Sequence, residues 1–203
     1  YVNHAIAQLF ASSRNLQLEV REGVRSQVLD LVERRVCEIG LIGMYSHYHK
    51  MISRRLEIRG LQYFRLCSSP VSVIVGAGSP LYSRTRPDIS LDEIGDCPMV
   101  IYDESESEPY ASILETLGLD KQLRRIVVSE RATMVDMLDK TDAVGISTTN
   151  AIAYQNTDYY PNLKYFKLKD CSITGEIGWI KRADAPLSDI ALSFLQILTS
   201  YYS

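Results

Sequence analysis

The stretch Val127 to Thr149, VVSERATMVDMLDKTDAVGISTT, constrains the fold more than any other. A β-branched run, Ile126 to Val128, meets a polar corner at Ser129-Glu130-Arg131. Met134, Val135, Met137 and Leu138 then recur at i, i+1, i+3 and i+4. That pattern predicts a strand, a corner and a helix with one apolar stripe. Lys140-Thr141-Asp142 ends the helix, and Ala143 to Ile146 is short and apolar enough for a second buried strand. The unit is therefore βαβ, with Ser129 at the helix amino terminus and Ser147-Thr148-Thr149 after the second strand. Both polar corners fall at carboxyl ends of strands, where open α/β sheets bind ligands.

The same alternation of patterns runs through the chain. Ala5, Ile6, Leu9 and Phe10 predict a helix at the very start, Leu16 to Val20 a strand, Val24 to Arg35 a helix and Glu38 to Gly43 a buried strand. Leu56 to Leu66 reads as extended and leads into a strong strand over Cys67 to Val75, with Pro70 at its start or on an edge. A short helix at Ser90 to Ile94, a strand at Cys97 to Tyr102 and a helix near Pro109 to Leu117, stopped by Gly118, come next. Leu163 to Leu168 and Gly175 to Lys181 are strands, and the last helix begins at Ser188 or Asp189. Opening on a helix is unusual for an α/β protein, so a strand before Tyr1, and a longer parent protein, are expected. βα units occur in two blocks, one before Leu66 and one from Val71 to Thr149, which points to two α/β lobes with a cleft between them.

Composition narrows the function. A net charge of −3 lacks the basic footprint of a nucleic-acid binder. No apolar run approaches the roughly 18 residues of a membrane span, which predicts a cytoplasmic protein. The four cysteines, Cys37, Cys67, Cys97 and Cys171, are far apart in sequence and read as buried free thiols. GxSxG, P-loop, HExxH and GxGxxG patterns are all absent, and the three histidines form no nucleophile arrangement, so neither catalysis nor a cofactor is expected. His47 and His49 would share one face of a strand, yet no partner completes a metal site.

Several landmarks fall in the order seen in the effector-binding domain of LysR-type transcriptional regulators. Leu18 to Gly43 resembles that family's strand, glycine, helix and short strand, with Glu38-Ile-Gly-Leu-Ile in the last role. Val71 to Leu81 resembles the strand leading into a His-Pro-Leu turn, here Ser79-Pro80-Leu81, and Gly175 to Leu198 resembles the final strand and helix. Val127 to Ser147 resembles the helix followed by a glycine-containing strand, although Asp142-Ala-Val-Gly145 replaces the usual Gly-x-Gly-x. The resemblance implies two Rossmann-like lobes with a central cleft, as in type 2 periplasmic binding proteins. Lobe I would comprise 1–66 and 172–203 and lobe II 67–171, with crossovers near 66–70 and 169–173. It implies a small-molecule effector, a homodimer or tetramer using the helix at Val24 to Arg35, and DNA contact only through a winged helix-turn-helix lying outside this chain.

The candidate ligand-binding residues follow from corners and crossovers. Ser129 offers a hydroxyl beside free helix amides, or simply a helix cap. Thr148 and Thr149 face it from the second corner, and Ser68 and Ser69 line the first crossover. Tyr45 and Ser46 follow a strand end, and Asp103 and Ser105 stand alongside in an acidic run that would also suit a helix amino end. Asn3 would be the remnant of a corner begun before Tyr1. A solute-binding protein of a transport system and an α/β enzyme of the same two-lobed fold are the alternatives.

Overall fold

The computed structural model describes residues 1–13, 15–102, 113–147 and 162–202. The chain forms two compact units, Tyr1–Gly43 with His49–Cys67 and Ile177–Ser203, and Met44–Tyr48 with Ser68–Glu176.

The first unit contains α1 (Val2–Ser12), α2 (Arg25–Glu33), α3 (His49–Ile58) and α7 (Asp189–Ser200). With them is a three-stranded sheet ordered β1-β9-β2, built from β1 (Gly40–Tyr45), β2 (Leu61–Pro70) and β9 (Thr174–Arg182). α1 packs on α7, and Tyr1 stacks on Tyr201 at 5.4 Å between ring centroids. Ser188 caps α7 by accepting from the Ala191 N–H at 3.2 Å. Arg59, just past α3, binds Asp30 and Glu33 of α2 and so ties the two helices together. Tyr63 of β2 covers Gly178 of β9, where any Cβ would collide with the ring. Phe64 and Trp179 stack with 4.1 Å between centroids.

The second unit is organised by a six-stranded sheet of order β4-β8-β3-β7-β5-β6. Its strands are β3 (Ser72–Gly76), β4 (Asp88–Ile89), β5 (Met99–Tyr102), β6 (Arg125–Val128), β7 (Val144–Ser147) and β8 (Leu163–Leu168). β5 runs parallel to both β6 and β7, whereas β3 is antiparallel to β7 and β8. Val73, Val75, Met99, Val144 and Phe166 pack on one face, with Ile94 at the end of α4 (Leu91–Ile94) and Leu114 of α5 (Ile113–Leu117). Ile74, Val100 and Tyr165 pack on the other, under Met134 and Leu138 of α6 (Arg131–Lys140). Because both faces are covered, all five residues of β3 are buried and no polar alternation survives.

The βαβ unit expected from Val127 to Thr149 is present: α6 carries the chain from β6 to β7, which flank β5 as parallel strands. Gly145 lets α6 approach, since a Cβ there would stand 2.8 Å from Met134 Cε. The Ser79-Pro80-Leu81 turn is a short 3₁₀ segment capped by Ser79, and Ser90 caps α4. Gly118 ends α5 with φ +71°, a conformation that favours glycine.

Four expectations are corrected. Among the described residues Leu16 to Val20 forms no strand, because alternation supplies a face but no hydrogen-bonding partner. Leu56 to Leu66 is divided between α3, whose buried Ile52 and Leu56 lie at i and i+4, and β2, which starts at Leu61. Cys67 to Val75 is two strands, with Pro70 closing β2 and needing no N–H beyond it. The α6 cap is Glu130 and makes no side-chain hydrogen bond, so Ser129 sits one residue outside the helix.

Candidate functional site

The second unit gathers polar residues at one edge of its sheet. Antiparallel pairing sets Ser72 of β3 opposite Ser147 of β7 on one side and opposite Lys167 of β8 on the other. The parallel pairing of Met99 with Val144 carries the same level on to Tyr102 of β5, itself paired with Val128 of β6. Paired residues share a face, so Lys167, Ser72, Ser147 and Tyr102 form one polar row. The row just inside it is apolar, running Tyr165, Ile74, Gly145 and Val100. Met134 and Leu138 lie over Gly145, which places the polar row on the α6 side of the sheet.

The helix direction follows from the same contacts. Leu138 reaches the Gly76 end of β3 through its carbonyl oxygen, while Met134, one turn earlier, lies over Gly145. The amino end of α6 therefore points to the Ser72 and Ser147 end. Arg131 lies three residues before Met134 and seven before Leu138, on the same helical stripe. Ser72 and Ser147 are buried, at 2% and 9% exposure, while Ser129 and Lys167 are exposed. This edge can offer hydroxyls, helix amides and cationic side chains to one small molecule.

The expected site residues divide as follows. Ser129 joins this edge, immediately after β6. Ser69 is buried at 4% and Ser68 exposed, both in the last part of β2 that leads into β3. Tyr45 and Ser46 belong to the same unit, but Tyr45 packs against the core cluster and Ser46 Oγ accepts the Thr174 N–H at 3.1 Å. Asn3 is exposed on α1, in the other unit. Asp103, Ser105, Thr148 and Thr149 lie outside the described residues. Ser72 and Arg131 were missed because β3 reads as a plain apolar run and Arg131 as part of a corner. Only the register and the helix direction bring them together.

The histidines do not share a strand face. His47 lies in a 3₁₀ turn, with Nε2 3.3 Å from Thr116 Oγ1, and burial lowers its pKa. His49 begins α3 in the other unit, against Tyr63. Among the described residues no group of His, Cys, Asp and Glu could hold a metal ion, and no helix is long and apolar enough to cross a membrane. All four cysteines are free and half-buried, and burial raises the thiol pKa of Cys67 and of Cys97.

Solved structures with this fold come from LysR-family regulators. The C-terminal domain of a probable LysR family transcriptional regulator from Rhodococcus sp. RHA1 superposes with TM-score 0.68 at 15% identity, over 97% of this chain and 90% of that one. The BenM effector-binding domain with its effector benzoate gives 0.66 at 16% identity, over 98% and 85%. The full-length BenM E226K mutant gives 0.69 at 16% identity, and this chain spans 98% of itself but only 62% of that protein. The effector-binding domain of QuiR in complex with shikimate gives 0.63 at 14% identity, over 99% and 90%. No curated protein sequence matches the chain. The LysR substrate binding domain profile matches residues 1–203. The fold is accordingly the mixed α/β, type 2 periplasmic-binding-protein-like one, and the family match favours the regulator over a transport-system solute-binding protein. The chain belongs to the LysR substrate-binding domain family, the effector-binding part of LysR-type transcriptional regulators.

Proposed function

We propose that this domain senses a small molecule at the α6-side edge of the six-stranded sheet, without catalysing its conversion, in a cytoplasmic regulator. One observation carries the reading: Ser72 and Ser147, both buried, meet the amino end of α6 in a domain of a ligand-sensing family. Ser68, Ser69, Ser129 and Tyr102 would frame the ligand from β2, β5 and β6. Asp103, Ser105, Thr148 and Thr149 would add contacts from the segments that follow β5 and β7.

Sensing becomes regulation when ligand binding shifts an equilibrium that a DNA-binding segment also reads. The longer protein would supply that segment as a winged helix-turn-helix and would act as a homodimer or tetramer. α2, the helix expected at a dimer contact, already buries Leu29 and Val32 and engages Arg59 through Asp30 and Glu33. The exposed apolar residues better placed for self-association are Leu123, Ile126 and Val127, on and before the edge strand β6.

Thermal-shift measurements with benzoate, shikimate, amino acids and sugars test the sensing role. A ligand at 100 times its Kd adds about 2.7 kcal/mol of stability. A panel that leaves the melting temperature unmoved at every concentration sinks the reading.

A further inference from the structure

We infer that the amino end of α6 is built to hold a carboxylate, and that the effector is therefore an organic acid; this rests on the effector-sensing reading above. α6 is ten residues long, its cap Glu130 makes no side-chain hydrogen bond and its first turn carries no acidic residue. A helix start normally recruits Ser, Thr, Asp or Asn to accept from its free N–H groups, and carboxylates to complement the dipole. Here the first helical residue is Arg131, a cation at the positive end of the dipole, and Ser129 stands outside the helix. Such an arrangement opposes folding by itself and becomes favourable once an anion occupies the end of the helix.

A second observation points to the same place. Ser72 is 2% exposed, lies on the α6 side of the sheet at this end, and its hydroxyl makes no hydrogen bond within the described residues. A buried hydroxyl without a partner is costly, so it belongs where a ligand oxygen completes it. Lys167 is its cross-strand neighbour and adds positive charge. The carboxylates bounding the site are Glu130, at the cap, and Asp88, registered beside Lys167 and ion-paired with Lys169 at 3.3 Å. With amides, a guanidinium, an ammonium and a hydroxyl converging, a planar carboxylate can accept from several donors at once, charge-assisted. A neutral sugar or amide would leave those donors less well satisfied.

The test compares benzoate and shikimate with benzamide, methyl shikimate and inorganic sulfate. Binding to the 203-residue chain is followed by calorimetry and by the backbone amide resonances of Ala132 and Thr133. The expected result is that at least one carboxylate binds and moves both resonances while its neutral analogue binds at least about tenfold more weakly, the loss of one charge-assisted contact. Arg131→Gln and Ser72→Ala should each weaken that carboxylate by a similar factor, with melting temperatures close to wild type. If either variant fails to fold, the amide resonances of the wild-type chain decide alone. The inference is overturned, with the sensing role intact, if neutral compounds bind as well as carboxylates. It is equally overturned if the carboxylates bind without moving Ala132 and Thr133. Sulfate binding alone marks an adventitious ion only and also overturns it. If no compound of any class binds, both this inference and the sensing role fall together.

Discussion

The indole of Trp179 lies flat on the ring of Phe64, with 4.1 Å between centroids and 12° between planes. Trp179 is the only tryptophan, so this contact between β9 and β2 has its own optical reporter. Phe64 is 38% exposed, and its truncation to alanine removes only part of a buried ring. Phe64→Ala should cost about 1–2 kcal/mol from lost packing and stacking. The tryptophan emission should shift to the red, and a denaturant titration followed at that wavelength gives both numbers.

Gly76 and Gly145 both admit α6, but against different atoms. A Cβ on Gly76 would run into the Leu138 carbonyl oxygen, which is backbone and cannot rotate away. A Cβ on Gly145 would meet the end of the Met134 side chain at 2.8 Å, which can. Gly76→Ala should therefore cost about 3 kcal/mol or more, and Gly145→Ala about 1 kcal/mol. Denaturation midpoints that come out equal, or in reverse order, would refute this account of the packing.

Glu93 is held at a pKa of about 2, first by the Ser90 N–H and then by the Arg84 guanidinium. Its folded value lies below its ordinary 4.5, so its contribution is complete above that pH and is lost as pH falls toward 2. Asp184 behaves alike under Arg182, dropping to about 2 from 3.8. Stability should decline through this acid range, and Glu93→Gln should be less stable than wild type at neutral pH but nearly matched to it at about pH 2. Denaturation curves at the two pH values measure the gap.

The exposed Ile126 and Val127 make β6 an apolar edge strand. If that edge carries self-association, Val127→Lys should weaken the dimer at least about tenfold, which is roughly 1.4 kcal/mol. Sedimentation equilibrium on both proteins is decisive, and an unchanged association constant would move the interface elsewhere.

How legible the fold was depended on whether local pattern and tertiary demand agreed. They agree in α6, where Met134 and Leu138 are the buried residues of the stripe, and at Ser90 and Ser188, whose hydroxyls cap helices. They disagree at Leu16 to Val20, where alternation has no neighbouring strand to pair with, and in HKMISRRLEI, where a mostly charged helix buries only Ile52 and Leu56. The candidate site was half legible. Ser129 follows from a strand meeting a helix, whereas Ser72 belongs to it only through pairing with Ser147, far away in sequence.

Strand β3 is made early and completed late. Its partners Val144–Ser147 and Leu163–Leu168 emerge from the ribosome only after most of the chain has been synthesised. At about 5–20 residues per second, a fully apolar strand with both edges open waits for several seconds before either neighbour exists. Newborn chains should be most prone to aggregate in that interval, and a truncation just before Val144 should form inclusion bodies or bind holdase chaperones, while the whole chain stays dispersed.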